Sequence, residues 1–163
     1  MPRNNTAAAP AAPVRTRESA LAEFPEMVLA VPAAEDSDGS GIIADILMAT
    51  SWEDLNNDQG ALPNARAMLG KRVRVHRLER RESTEQGGIG WYLVITASDP
   101  KTGEQIMWQT SAMSVMAKLV KLHQLAGADG QVDALVEVTE ADRDTRAGRR
   151  PLDLTIHACS PIR

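Results

Sequence analysis

The chain has 163 residues, enough for one domain with appendages, and a hydrophobic share of 43% that can fill a core. Aromatic residues make up only 3%, so the core is expected to consist of Val, Ile, Leu, Met and Ala, and each ring becomes informative. No apolar run is long enough to span a bilayer, no signal-peptide pattern opens the chain, and the lone Cys159 excludes an internal disulfide; these features predict a protein of the reducing cytoplasm, without a membrane partner.

The net charge of −4 would argue against a polyanionic partner if it were evenly spread, and it is not. Residues 1–40 hold three Arg against six acids, and residues 41–70 one Arg against four. Residues 71–163 hold fourteen Lys and Arg against twelve acids.

In chain order, residues 1–40 contain five of the nine prolines and ten alanines, which predicts a disordered Ala/Pro-rich arm. Its more apolar stretch, "ALAEFPEMVLAV", reads as solvated linker or as a segment that docks on another protein, and Pro25 should limit any helix there. Residues 41–70 are expected to cover the main domain with short helices. "IIADILMAT" is apolar enough to be packed, "SWEDLNNDQG" suits a short capped helix with Trp52 as a packing anchor, and "LPNARAMLG" suits a further turn ending at Gly70.

The folded domain is expected over 71–159, followed by a short tail, 160–163. "KRVRVHRLERRE" alternates as a first strand with Val73 and Val75 on one face, and Leu78 breaks the parity, predicting a bulge near His76–Arg77. "STEQGGIG" is a turn, "WYLVITASD" a second strand, "PKTGE" a tight turn and "QIMWQTSA" a third strand. "SVMAKLVKLHQLAG" then changes period to a helix, and "VDALVEVTE" and "LDLTIHA" are strands joined by the charged loop "ADRDTRAGRRP". Three meandering strands, one helix and two strands is the order of the OB barrel. The expected fold class is all-β with one helix, a five-stranded OB-fold barrel carrying a disordered N-terminal arm.

Such a barrel holds ligands across strands two and three, between the loop after strand one and the loop joining strands four and five. Arg80 and Arg81 open the first loop, Arg143, Arg146, Arg149 and Arg150 lie in or beside the second, and Arg72, Arg74 and Arg77 lie on strand one. A plainer reading pairs these arginines with Glu79, Glu82, Asp142 and Asp144 on a solvated surface. Trp91, Tyr92 and Trp108 fall on strands two and three, where rings could stack on bases while arginines follow phosphates. Trp108 shares parity with Ile106, which leaves core and surface open. Trp91 and Tyr92 have opposite parity, so a regular strand buries at most one.

Residues 62–158, through "LPNARAMLGKRVRV", "GWYLVITASDPKTGEQIMWQTSAMSVMAKLVKL" and the last strand pair, resemble OB-fold single-stranded DNA-binding proteins of bacteriophages and related mobile elements. The likeness lies in the succession strand, D-x-x-T-G-E, strand, T-S, helix. It implies coating of single-stranded DNA during replication or recombination, without catalysis or cofactor, in the cytoplasm of a bacterial or phage-infected cell. Cellular single-strand binders end in an acidic recruiting tail, whereas this chain ends in "HACSPIR", and "AEDSDG" in the arm is the comparable stretch for a protein partner.

Chemistry is not expected. His76, His123 and His157 form no metal-ligand spacing with Cys159, the glycine stretches are not followed by Lys-Ser/Thr, and the paired carboxylates sit in charged surface stretches. The expectation is a non-enzymatic, homo-oligomeric single-stranded DNA-binding protein. The alternative is an OB-type interaction or adaptor subunit that binds protein instead.

Overall fold

The computed structural model describes residues 16–34, 46–56, 62–82, 90–141 and 150–162. Five strands form one antiparallel sheet: β1 (Arg72–Glu82), β2 (Trp91–Ser98), β3 (Gln105–Thr110), β4 (Gln131–Glu140) and β5 (Leu152–Ser160). Their order is β3-β2-β1-β4-β5, so β1 is central and β3 and β5 stand at the edges. The sheet is not closed among the described residues, and it carries two fourteen-residue helices, α1 (Arg17–Ala30) and α3 (Met113–Ala126), with a five-residue helix α2 (Trp52–Asn56).

The strands form where valine and isoleucine alternate with polar residues. Val73, Val75 and Leu78 on β1, Leu93, Ile95 and Ala97 on β2, and Val132, Ala134, Val136 and Val138 on β4 point to one buried face. The stripe Val115, Met116, Leu119 and Val120 of α3 closes that face. Turns are set by local chemistry. Asp99 Oδ1 accepts the Lys101 and Thr102 N–H groups at 2.7 and 3.1 Å in the β2–β3 turn, and these bonds hold its carboxyl below the usual range. Before β4, Asp129 and Gly130 have φ of 51° and 82°, a two-residue hairpin turn of the primed type. A Cβ at Gly130 would also stand 2.8 Å from the Leu78 carbonyl oxygen, so both conformation and space require glycine. His123 ties α3 to this turn, its Nε2 accepting the Gly130 N–H at 3.0 Å, and burial lowers its pKa against the opposing charge of Asp129.

The N-terminal expectation is corrected. Residues 17–30, expected within a disordered arm, form α1, and the fold has a second long helix rather than one. Thr16 and Ser19 make a reciprocal capping box, each backbone N–H donating to the other's hydroxyl at 3.1 Å. Pro25 lies inside the helix, removing one hydrogen bond without ending it. Phe24, Met27, Val28 and Val31 fall at helical spacing, and Val28 and Val31 are fully buried in the core. The following residues extend the sheet. Arg80 N–H donates to the Pro32 carbonyl at 2.9 Å and Ala34 N–H to the Arg80 carbonyl at 3.0 Å.

The segment expected to cover the domain divides in two. Around a 3-10 turn, Ala65–Met68, Asn64 pairs with Gln109 of β3 and Leu69 with Val138 of β4, with Ala65 and Met68 buried. Ile46, Leu47 and Met48, expected to pack, are exposed, and Trp52 is no anchor, being 69% exposed. No helix among the described residues is long and apolar enough to cross a membrane.

Candidate functional site

The outer face of the sheet is organised by the bulge in β1. Register steps from Val75↔Ala97 to Arg77↔Thr96, leaving His76 unmatched, its Nε2 2.6 Å from Ser98 Oγ. Strict alternation from Val73 and Val75 would turn Arg77 into the core and Leu78 out. The extra residue reverses that, so Leu78 is buried and Arg77 exposed. Arg72 and Arg74 before the bulge, and Arg77, Glu79 and Arg81 after it, therefore share the outer face.

Pairing then fixes the neighbours. Arg81 stands opposite Tyr92, Glu79 opposite Val94 and Arg77 opposite Thr96. Across β2, Val94 faces Gln109, Thr96 faces Met107 and Ser98 faces Gln105. The β2–β3 portion of this face thus presents Tyr92, Thr96, Ser98, Gln105, Met107 and Gln109, with no charged side chain among them. Charge is confined to β1, where Arg77 Nε donates to Glu79 Oε1 at 3.0 Å. Tyr92 and Arg81 are both half-buried.

The other half of the outer face is neutralised by its own acids. Arg74 pairs with Asp133 at 2.6 Å, and Arg72 with Glu137 at 3.9 Å, a carboxylate that also meets His157 Nε2 at 3.2 Å. For Arg72, Arg74 and Arg77 the plainer expectation of surface ion pairs therefore holds, although the partners of Arg72 and Arg74 come from β4.

Three of the expected site residues stand elsewhere. Trp108 has no solvent exposure and faces Ile95 in the core, with its indole N–H unpartnered among the described residues, so it offers no stacking surface. Trp91 has the inward parity and packs half-buried against the core. Arg80 is also inward, its Nε donating to the Val31 carbonyl at 2.9 Å, which makes it a clamp on the end of α1. Arg143, Arg146 and Arg149 lie outside the described residues, and Arg150 is exposed just before β5. The loop anchors are far apart along β1, since Glu82↔Trp91 closes its C-terminal end while Arg72 faces Glu137 near the end of β4. The two arginine-rich loops thus leave from opposite ends of β1.

Thr96 and Ser98 were findable from the parity of Tyr92. Gln105, Met107 and Gln109 needed the β2–β3 register, which no single strand encodes. Among the described residues no group of three His, Cys, Asp or Glu could hold a metal ion. No protein-family model, curated protein or solved structure matches this chain.

Proposed function

We propose that the chain is a non-catalytic single-stranded DNA-binding protein built on an OB barrel, acting in replication or recombination. Support for the barrel comes from β1 shared between β2 and β4, the bulge that bends it, and a helix between β3 and β4. Support for the ligand comes chiefly from one observation, the outer β2–β3 surface that bears Tyr92 opposite Arg81 and no acid. A flat phenol ring beside a guanidinium suits a base and its phosphate, and amide and hydroxyl groups around them accept any base edge. Arg77, Arg81 and Arg150 are the described cations assigned to this face and its rim, each exchanging the partner it has in the free chain for a phosphate, and the protein acts in the cytoplasm without cofactor.

Titration with oligo-dT, followed by intrinsic fluorescence at several salt concentrations, tests the reading. Binding is expected to weaken with a log–log slope of about −0.7 per neutralised phosphate. Absence of binding to oligo-dT at low salt sinks it. The adaptor reading is favoured by a different surface, the exposed Leu47, Met48 and Trp52, and predicts a protein partner with no effect of Tyr92.

A further inference from the structure

Residues 46–56 expose more apolar surface than a solvated connector needs. Leu47 and Met48 are 77% and 79% exposed, Trp52 69%, and Ile46 and Leu55 more than half. By spacing, Met48, Trp52 and Leu55 stand at i, i+4 and i+7, one stripe of a helix made continuous across Thr50–Ser51. The surrounding residues 41–65 carry four acids, Asp45, Glu53, Asp54 and Asp58, and no Lys or Arg.

The same chain presents a matching surface. A groove of about 590 Å³ runs between α3 and β5, floored by Leu122 and Leu154 and edged by Leu125, Ile156, Lys118 and Lys121. Lys118 is held by Asp153 at 2.8 Å, whereas Lys121 meets only the neutral Gln124 amide at 2.8 Å among the described residues. Thr155–Ser160 of β5 are all exposed along this edge.

We propose that residues 46–56 of one chain dock as an amphipathic helix in the α3–β5 groove of a second copy, with reciprocal exchange. The apolar stripe covers Leu125 and Ile156, and Glu53 meets Lys121, so both hydrophobic and charge patterns match. A second copy is the occupant because within this chain the segment's apolar residues are exposed and none of them lines the groove, while the acidic segment and the lysine-edged groove have opposite charge. A two-fold arrangement fills both grooves and leaves no open site.

The test uses the full chain and exposed positions that leave the core intact. Light scattering is expected to give twice the chain mass, with Trp52 emission shifted to the blue on concentration. Leu55→Asp and Lys121→Glu should each return the chain to a monomer, and Glu53→Lys combined with Lys121→Glu should restore the dimer. Chains carrying Leu55→Cys and Cys159→Ala, mixed with chains carrying Ile156→Cys and Cys159→Ala, should form an interchain disulfide. A wild-type chain that stays monomeric, a dimer indifferent to Lys121→Glu, or crosslinking only when both new thiols share one chain would overturn the proposal. None of these readouts depends on DNA binding, so failure here is separate from failure of the functional reading.

Discussion

The two halves of the outer sheet face begin with the same residue type and end differently. On the β1–β4 side, arginines 72 and 74 face strand β4, whose outward positions include Asp133 and Glu137, and the charge is consumed locally. On the β2–β3 side, the outward positions are hydroxyl, amide, thioether and phenol groups around the buried Val94, so no acid on those strands competes for a polyanion. A row of arginines in sequence is therefore not a binding site in itself. The fold decides where each charge is spent, on the neighbouring strand for Arg72 and Arg74 and on the same strand for Arg77.

The largest expected effect sharpens the contrast between the inner and outer faces of the β2–β3 pair. Trp108→Ala should cost ~3–5 kcal/mol of stability, because a fully buried ring leaves a cavity. Denaturant unfolding measures this, and the folded fraction should still bind DNA. Tyr92→Ala should cost much less stability than Trp108→Ala yet weaken oligo-dT binding by ~1–3 kcal/mol, roughly 5- to 150-fold. An unaltered affinity would break the comparison at its centre.

Smaller effects separate the arginines. Arg81→Ala should lower the salt slope by about 0.7, and Arg74→Ala should change it far less, since Asp133 of β4 holds that guanidinium away from the β2–β3 surface. Removing Arg74 should cost only ~0.2–1 kcal/mol in stability, as for other exposed pairs. The pH dependence should come from elsewhere in the fold. His123 has a pKa lowered from 6.5 by burial, so the unfolded chain binds its proton more readily than the folded one. Stability present above the ordinary histidine range should fall as pH drops through about 6.5 toward the lowered folded value. His123→Gln, which keeps an acceptor for the Gly130 N–H, should flatten that slope in thermal melts.

Much of the domain is legible in the sequence because its signals are local. The five strands, the helix at 113–126, the tight turn at Asp99–Gly103 and the bulge after Val75 all follow from alternation, its interruption, or turn residues. The helix at 17–30 was obscured by its surroundings. Alanine and proline dominate the first residues, although Phe24, Met27, Val28 and Val31 already spell a buried stripe. The site was less legible because it depends on partners distant in sequence. Nothing in "QIMWQT" alone tells Trp108 to face inward; its pairing with Ile95 and the room beneath the sheet do. Likewise, the burial of Arg80 depends on the Val31 carbonyl, forty-nine positions earlier.

The unmatched residue in β1 makes the length of that strand a coding quantity. Deleting His76 would leave Arg77, Glu79 and Arg81 outward and Leu78 and Arg80 inward, because the shortened strand then alternates without interruption, and what it would remove is the bulge and its bend. The position thus encodes curvature rather than which side chains meet solvent, so shortening β1 there would straighten the strand while keeping its surface pattern.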